Sequence, residues 1–340
     1  MFNTRPDVVR EKLYVICPIF NPVRYRTRWV LFNKFRAMVE KTEAQLIVIE
    51  AAFGNREFSV TEKNNPWHIQ LRTSTEIWTK ESLINIAMQH LSRQVPDWKY
   101  VAWIDGDVSF ARPDWVGETI QQLQHYQIVQ MFSEAQDLDV EYNPLARHKG
   151  FVYCHINGYK VQTFGESLYG KKKEGVKYPE YNLWHSGYAW AARREAMDNL
   201  GGLIDWGIAG AGDAHMAKSL VGDGADSVHP EISDGYRNMI LEWQTRCDMH
   251  IRRNIGYVSG LLLHYFHGAK SNRKYWDRWR ILVDNKFDPR YDLKKDTQGL
   301  YQLVDRGTDR SIKLRDQIRA YMRGRDEDNT YVPDNERKMG

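Results

Sequence analysis

Between Lys12 and Phe132 the chain alternates short apolar runs with longer amphipathic ones, a rhythm that few folds accept. LYVIC (13–17), QLIVIEA (45–51), HIQL (68–71), YVAWID (100–105) and IVQMF (128–132) have the length and apolarity of buried strands. Between them, residues 25–40, 75–91 and 114–126 carry the apolar period of helices. Ser74 or Thr75 ahead of Glu76, and Pro113 ahead of Asp114, act as start signals. Strand and helix in repeated alternation predict an α/β fold, a mainly parallel sheet with helices on both faces. Such sheets bind ligands beyond the carboxyl ends of their strands.

The regularity lapses from 133 to 184, where the Lys171–Lys173 run and EGVKYPEYN read as a loop. It then resumes with a strand at 187–192, a short helix at 194–199, a glycine-rich turn and a helix at 213–220. A long helix over 233–251, the strand GYVSGLLLHYF (256–266) and a basic helix over 272–283 follow. Residues 1–285 therefore read as one domain with halves at 1–132 and 133–285. Residues 286–340 read as a charged helical extension, with a helix at 311–322 and a flexible end from Arg323. No repeat of solenoid or propeller length is visible.

Net charge is +4 and the isoelectric point is near 8.7 over 340 residues, which accommodates an anionic partner, diphosphate or DNA, without requiring one. Cys17, Cys154 and Cys247 are odd in number and scattered, which argues against a disulfide framework or a cysteine zinc site. A reducing cytoplasm is the expected setting. No window reaches the roughly 18 apolar residues of a membrane span, and the first residues lack the apolar core of a leader. Twelve Trp and 19 Tyr fit either a binder of flat rings or an aromatic-rich core.

The run YVAWIDGDVSF ends a buried strand in two carboxylates, Asp105 and Asp107, around Gly106. Two such acids on one turn suit a hard divalent cation that completes its shell with phosphate oxygens, although Asp-Gly is also an ordinary surface turn. A second apolar strand closes in His264 and His267, three residues apart. Imidazole with carboxylate suits Mn²⁺ better than Mg²⁺. Asp107, His264 and His267 thus make a candidate three-point metal site.

Five short motifs occur in order: CPIFNPVRYR, WTKESLINIA, WIDGDV, GGLIDWGIAGAGDAHMAKSL and HYFH. Together they resemble the GT-A glycosyltransferases, and within them the beta-1,4-galactosyltransferase-like group. The resemblance implies a Rossmann-like GT-A domain that moves a hexose or pentose from a nucleoside diphosphate sugar to an acceptor hydroxyl, with Mn²⁺ or Mg²⁺ as cofactor. It implies metal ligation by Asp107, His264 and His267, and donor contacts from Pro18, Phe20, Arg24, Arg26, Glu50, Lys80 and Asp105. Trp206, Gly210 and Asp213 fall to the acceptor, with Asp213 as the base of an inverting reaction. Arg24, Arg26 and Lys80 read equally well as solvated helix charges, and Asp213 as a helix cap.

One departure stands out. The group's turn carries adjacent acids, whereas here Ala211 and Gly212 precede a lone Asp213, and Ile208 stands where a tryptophan is often found. His215 and Asp205 are the fallback bases. Two other readings stay open: a transferase acting on a hydroxymethylated base in DNA, as some phage enzymes do, and a nucleotide-sugar-binding module without turnover.

Overall fold

The computed structural model describes residues 11–161 and 184–337; the Lys171–Lys173 run and EGVKYPEYN lie outside the described residues. The apolar runs form β1 (Leu13–Phe20), β2 (Gln45–Phe53), β3 (His68–Thr73), β4 (Tyr100–Ile104), β6 (Ile128–Gln130), β10 (Ala189–Arg193) and β11 (Ile255–Tyr257) of one seven-stranded sheet. Its order is β11-β6-β10-β4-β1-β2-β3, parallel throughout except at β10.

Side chains that alternate along a strand point to opposite faces, and here each face has its own core. Tyr14 and Ile16 of β1 join Val101 and Trp103 of β4 on one side, with Leu13, Val15, Cys17, Ala102 and Ile104 on the other. The helices α1 (Arg26–Val39) and α3 (Trp115–His125) cover the second face through Phe32, Phe35, Trp115 and Leu123. The first face is covered by α2 (Lys80–Gln94), α5 (Arg194–Leu200), α6 (Gly212–Leu220) and α7 (Asp234–Arg246). The expected α/β architecture is what the chain forms.

A second sheet was not legible in the sequence. It has the order β5 (Val108–Phe110), β12 (Leu261–His264), β7 (Glu134–Leu138), β8 (Pro144–Gly150) and β9 (Trp184–His185), so two of its strands lie where the sequence pattern lapses. Three strands of the first sheet run on into it: β4 to β5 across Asp105–Asp107, β6 to β7 across Met131–Ser133, and β11 to β12 across Val258–Gly260. The single strand expected at 256–266 is therefore two. The break is fixed at Gly260, whose carbonyl accepts from Ser133 N at 3.1 Å and Glu134 N at 3.2 Å. Likewise α2 starts at Lys80 rather than near 75, because Thr75 Oγ1 bonds Gln302 and Trp78 N donates to Ile208 O at 2.9 Å, holding 74–79 as a loop. The basic helix expected at 272–283 shortens to α8 (Arg278–Asp284). The connection between β8 and the described start of β9 opens with α4 (Phe151–Ile156).

After α9 (Pro289–Asp292) the chain makes the hairpin β13 (Leu293–Lys295) and β14 (Tyr301–Leu303), then α10 (Asp309–Arg323). Residues 324–337, ending in α11 (Asp334–Arg337), fold back over the carboxyl ends of the strands. The Asp328 carboxylate accepts from Arg26 N at 2.9 Å and Thr27 N at 2.8 Å, supplying α1 with the cap its own residues lack. Glu336 accepts from Lys270 N at 3.1 Å and Ser271 N at 3.0 Å. No helix among the described residues is long and apolar enough to cross a membrane.

The entry to the β11–β12 crossing is tightly packed: a methyl group on Gly256 would run into the Tyr126 ring. Gly256→Ala should lower stability by about 1–3 kcal/mol, read from the denaturant midpoint; an unmoved midpoint would mean the ring yields freely.

Candidate active site

Pairing between strands assembles the candidate metal-ligating residues. β5 runs antiparallel to β12 with Val108 opposite His264, so Asp107, one residue before β5, lands beside the end of β12. On the other side β7 runs parallel to β12 with Asp137 opposite His264. Gly106 helps by its small size: a side chain there would sit 3.3 Å from Cys17 Sγ, against the core.

Asp107, His264 and His267 each offer one ligand atom, all within 4.8 Å of one another. His264 Nε2 lies 3.3 Å from His267 Nε2, which lies 2.9 Å from Asp107 Oδ2. Neighbours on an ion bound at about 2.1 Å stand about 3 Å apart, so the spacing fits a divalent metal. His264 Nδ1 bonds Asp137 Oδ1 at 2.7 Å, which assigns its proton there and leaves the Nε2 lone pair for a cation. The Arg273 guanidinium donates to His267 Nε2 at 2.9 Å, assigning a lone pair to that nitrogen too. Asp107 Oδ1 is buried without a hydrogen-bond partner among the described residues. Three acceptors and an orphaned carboxylate oxygen fit a bound cation.

The charges agree with this arrangement. Burial alone would raise the Asp107 carboxyl, but His267, His264 and Arg28 around it hold it well below the usual carboxylate range. Burial and the nearby Arg273 charge push His267 down to about 3, against the pull of Asp107, so the imidazole is neutral, as ligation requires. Arg28 Nη2 donates to Glu327 Oε1 at 2.8 Å, and Glu327 also accepts from Arg325 Nε at 2.6 Å. Asp137 binds His148 and Lys270 as well as His264. A cavity of about 340 Å³ opens beside the trio, lined by Asp137, His264, His267, Lys270, Arg273 and Tyr275 among others. A cation with open positions facing lysine and arginine can bind an anion with several oxygens.

Asp105 turns the other way and pairs with Lys80 Nζ at 2.5 Å, in the first turn of α2. Asp213 begins α6; it lines one small enclosed space with Lys80, and its carboxylate rests on Gly187. Arg24 and Glu50 line a separate cavity at the ends of β1 and β2. Both Glu50 oxygens accept from the 59–61 loop, at 2.7 Å from Ser59 N and 3.0 Å from Thr61 N. Pro18 lies within β1, and Phe20 packs edge-on against Trp78 with centroids 5.0 Å apart. Arg26 is exposed at the start of α1, whereas Arg28, two residues on and on the other side of the helix, faces Asp107. Trp206 is buried in the core, 7% exposed, and Gly210, at φ +91°, lies under Arg278. The fallback bases are engaged elsewhere: His215 sits between Ser227 Oγ and Tyr236 Oη at 2.8 and 2.9 Å, and Asp205 pairs with Lys295 at 2.9 Å.

Sequence reasoning missed Arg28, Glu81, Asp137 and Glu327, and read Arg273 only as part of the basic stretch 272–281, NRKYWDRWRI, that could close over a diphosphate or be a solvated helix face. Asp137 had a faint signal in the alternation of SEAQDLDV; Glu327 had none, because tertiary contacts alone bring it in.

No family model and no curated protein matches the chain. Among solved structures it is similar to the catalytic domain of Drosophila beta-1,4-galactosyltransferase 7 in complex with xylobiose, at TM-score 0.33 and 13% identity, covering 63% of this chain and 62% of that one. A mutant of that enzyme in complex with manganese, UDP-Gal and xylobiose gives TM-score 0.37 and 12% identity over 87% and 95% of the two chains. A Desulfovibrio desulfuricans G20 protein, provisionally described as a nucleotide-diphospho-sugar transferase, gives 0.32 and 11% over 91% and 97%. Likeness at these TM-scores decides nothing about function, which is read from the residues.

Asp137→Asn keeps the shape of the side chain and removes the charge that orients His264. Mn²⁺ affinity measured by calorimetry should fall about 10- to 100-fold. Unchanged affinity would remove His264, or its orientation by Asp137, from metal binding.

Proposed function

We propose that this chain is a metal-dependent glycosyltransferase that moves a hexose or pentose from a nucleoside diphosphate sugar to an acceptor hydroxyl, with inversion. The observation that carries this reading is the convergence of Asp107 Oδ2, His264 Nε2 and His267 Nε2 beside a cavity rimmed by Lys270 and Arg273. One carboxylate and two imidazoles suit Mn²⁺ better than Mg²⁺. When bound, the ion supplies Lewis-acid stabilisation of the charge that grows on a departing diphosphate.

The chain's own residues divide the remaining work. Arg273, Lys270 and Arg28 raise the electrostatic potential around the diphosphate oxygens, and Lys80, paired with Asp105, adds a further cation on the other side of the Asp105–Asp107 turn. Arg24 and Glu50, in the cavity at the strand ends, hold the nucleoside, with Pro18 and Phe20 shaping the wall and Arg26 at the rim. Asp213 accepts the proton of the acceptor hydroxyl as that oxygen bonds to the anomeric carbon, and the electrons of the broken bond leave with the diphosphate. Gly210, covered by Arg278, and the buried Trp206 shape the turn that carries Asp213. The acceptor is a glycan hydroxyl or that of a hydroxymethylated DNA base, and the three buried free cysteines agree with a reducing, cytoplasmic setting in a phage or bacterial system.

The test is release of nucleoside diphosphate from a panel of nucleotide sugars, with Mn²⁺ or with chelator, followed by mass-resolved chromatography. Release from one donor should need metal and disappear in Asp107→Ala. Asp213→Asn should lower kcat about 10²- to 10⁴-fold with donor KM little changed. A DNA acceptor would show rates falling steeply with salt, and a sugar acceptor would not. Donor binding without release, with either acceptor class present, would favour a binding module.

A further inference from the structure

Asp107 has a carboxylate oxygen to spare and a guanidinium for a neighbour, yet the two do not meet. Asp107 Oδ1 is buried with no hydrogen-bond partner among the described residues, and the Arg28 charge bears on the same carboxyl. An arginine beside an open carboxylate tends to close into a two-bond pair. Among the described residues the ion pair that Arg28 makes is with Glu327 instead.

The two Glu327 oxygens accept from Arg28 Nε and, at 2.8 Å, from Arg28 Nη2, which takes up the edge of the guanidinium that could fork onto another acid. The same carboxylate accepts from Arg325 Nε at 2.6 Å, and its Oε2 lies 3.8 Å from His267 Nδ1. His267 turns its other nitrogen to Asp107 Oδ2 at 2.9 Å, so a single imidazole separates Glu327 from Asp107. Two acids one ring apart compete for one guanidinium, and Glu327 holds it.

Anchoring the chain end does not account for this pair. The end is tied down at other points: Tyr25 Oη donates to Arg323 O at 2.6 Å and accepts from Asp326 N at 3.0 Å, Asp328 caps α1, and Glu336 takes the amides of Lys270 and Ser271. Gly268, at φ +85°, lets the backbone of Asp326 and Glu327 pass close, since a methyl group there would fall 2.7 Å from Asp326 O. Glu327 is 3% exposed, a burial that an anchor at the surface would not need.

We propose that Glu327 is a positioning residue for the cation: by engaging Arg28 it keeps that guanidinium off Asp107 and leaves the carboxylate open to Mn²⁺. The inference rests on the reading of Asp107, His264 and His267 as the metal site, and not on the reaction. Once released from Glu327, Arg28 closes on Asp107 Oδ1, and a cation must displace it to bind. A residue close to the end of the chain thus governs whether a ligand at the first sheet crossing is available.

The experiment measures the Mn²⁺ affinity of the full chain by calorimetry in wild type, Glu327→Gln, Glu327→Asp, Arg28→Gln and the double variant Arg28→Gln/Glu327→Gln. Glu327→Gln should weaken binding about 10- to 100-fold. Glu327→Asp keeps the charge but falls one methylene short of the Arg28 fork, so it should weaken binding about tenfold, where an effect of charge alone would leave wild-type affinity. With Arg28 already replaced, Glu327→Gln should change affinity by less than about threefold, because no guanidinium remains to close on Asp107. An equal fall in both backgrounds, or wild-type affinity in Glu327→Asp, would overturn the proposal. If Glu327→Gln fails to fold, Glu327→Asp, which retains the buried charge, decides. A wild type that binds no Mn²⁺ would sink the metal site and this inference with it, whereas metal binding in a chain that turns over no donor would sink the transferase reading alone.

Discussion

Buried carboxylates at the crossing between two sheets are the constraint around which the rest is arranged. Asp107 and Asp137 sit where β4, β6 and β11 leave one sheet for the other, and Asp137 is 3% exposed. Unpaired anions at such depth would be strongly destabilising, so cations and imidazoles must follow them in. His264 bonds Asp137 and His267 lies against Asp107, while Lys270, Arg28 and Arg273 close the remaining sides. The same groups that make burial tolerable are the ones the proposed cation and phosphate site would use. Stability and chemistry therefore draw on one set of side chains, and a substitution there changes both.

The legible part of the fold was the part set by local pattern. β1 to β4 and the first helices show in the sequence because β1, β2 and β4 are apolar on both faces, β3 alternates apolar with polar, and each helix has one apolar stripe. β7 and β8 did not show: EAQDL buries alternate small or polar residues against other strands and carries little hydrophobic signal. The long run 256–266 misled because both of its halves are apolar, while the break at Gly260 depends on two amides from a distant segment.

At the site, Asp105, Asp107, His264 and His267 were legible because their types and spacing at strand ends fit only a few chemistries. What could not be read was orientation. Asp105 and Asp107, two residues apart, part company: one goes to Lys80 and the other to the imidazoles. Of Arg24, Arg26 and Arg28, the last faces the metal trio, a choice made by Glu327 almost three hundred positions later. Gly212 offered no hint that a carboxylate from α2 would lie on it.

The closing stretch, 324–337, has a consequence for how the molecule comes into being. Glu327, which neutralises Arg28, and Asp328, which caps the start of α1, lie 299 and 302 positions from Arg28 and Arg26. Contacts between residues so far apart in sequence form late, since their loop-closure entropy is met only after the intervening elements are in place. A folding chain thus forms its sheet before the charged centre is balanced. The charge balance of this centre is completed in a late step of folding, after the sheet that carries it has formed.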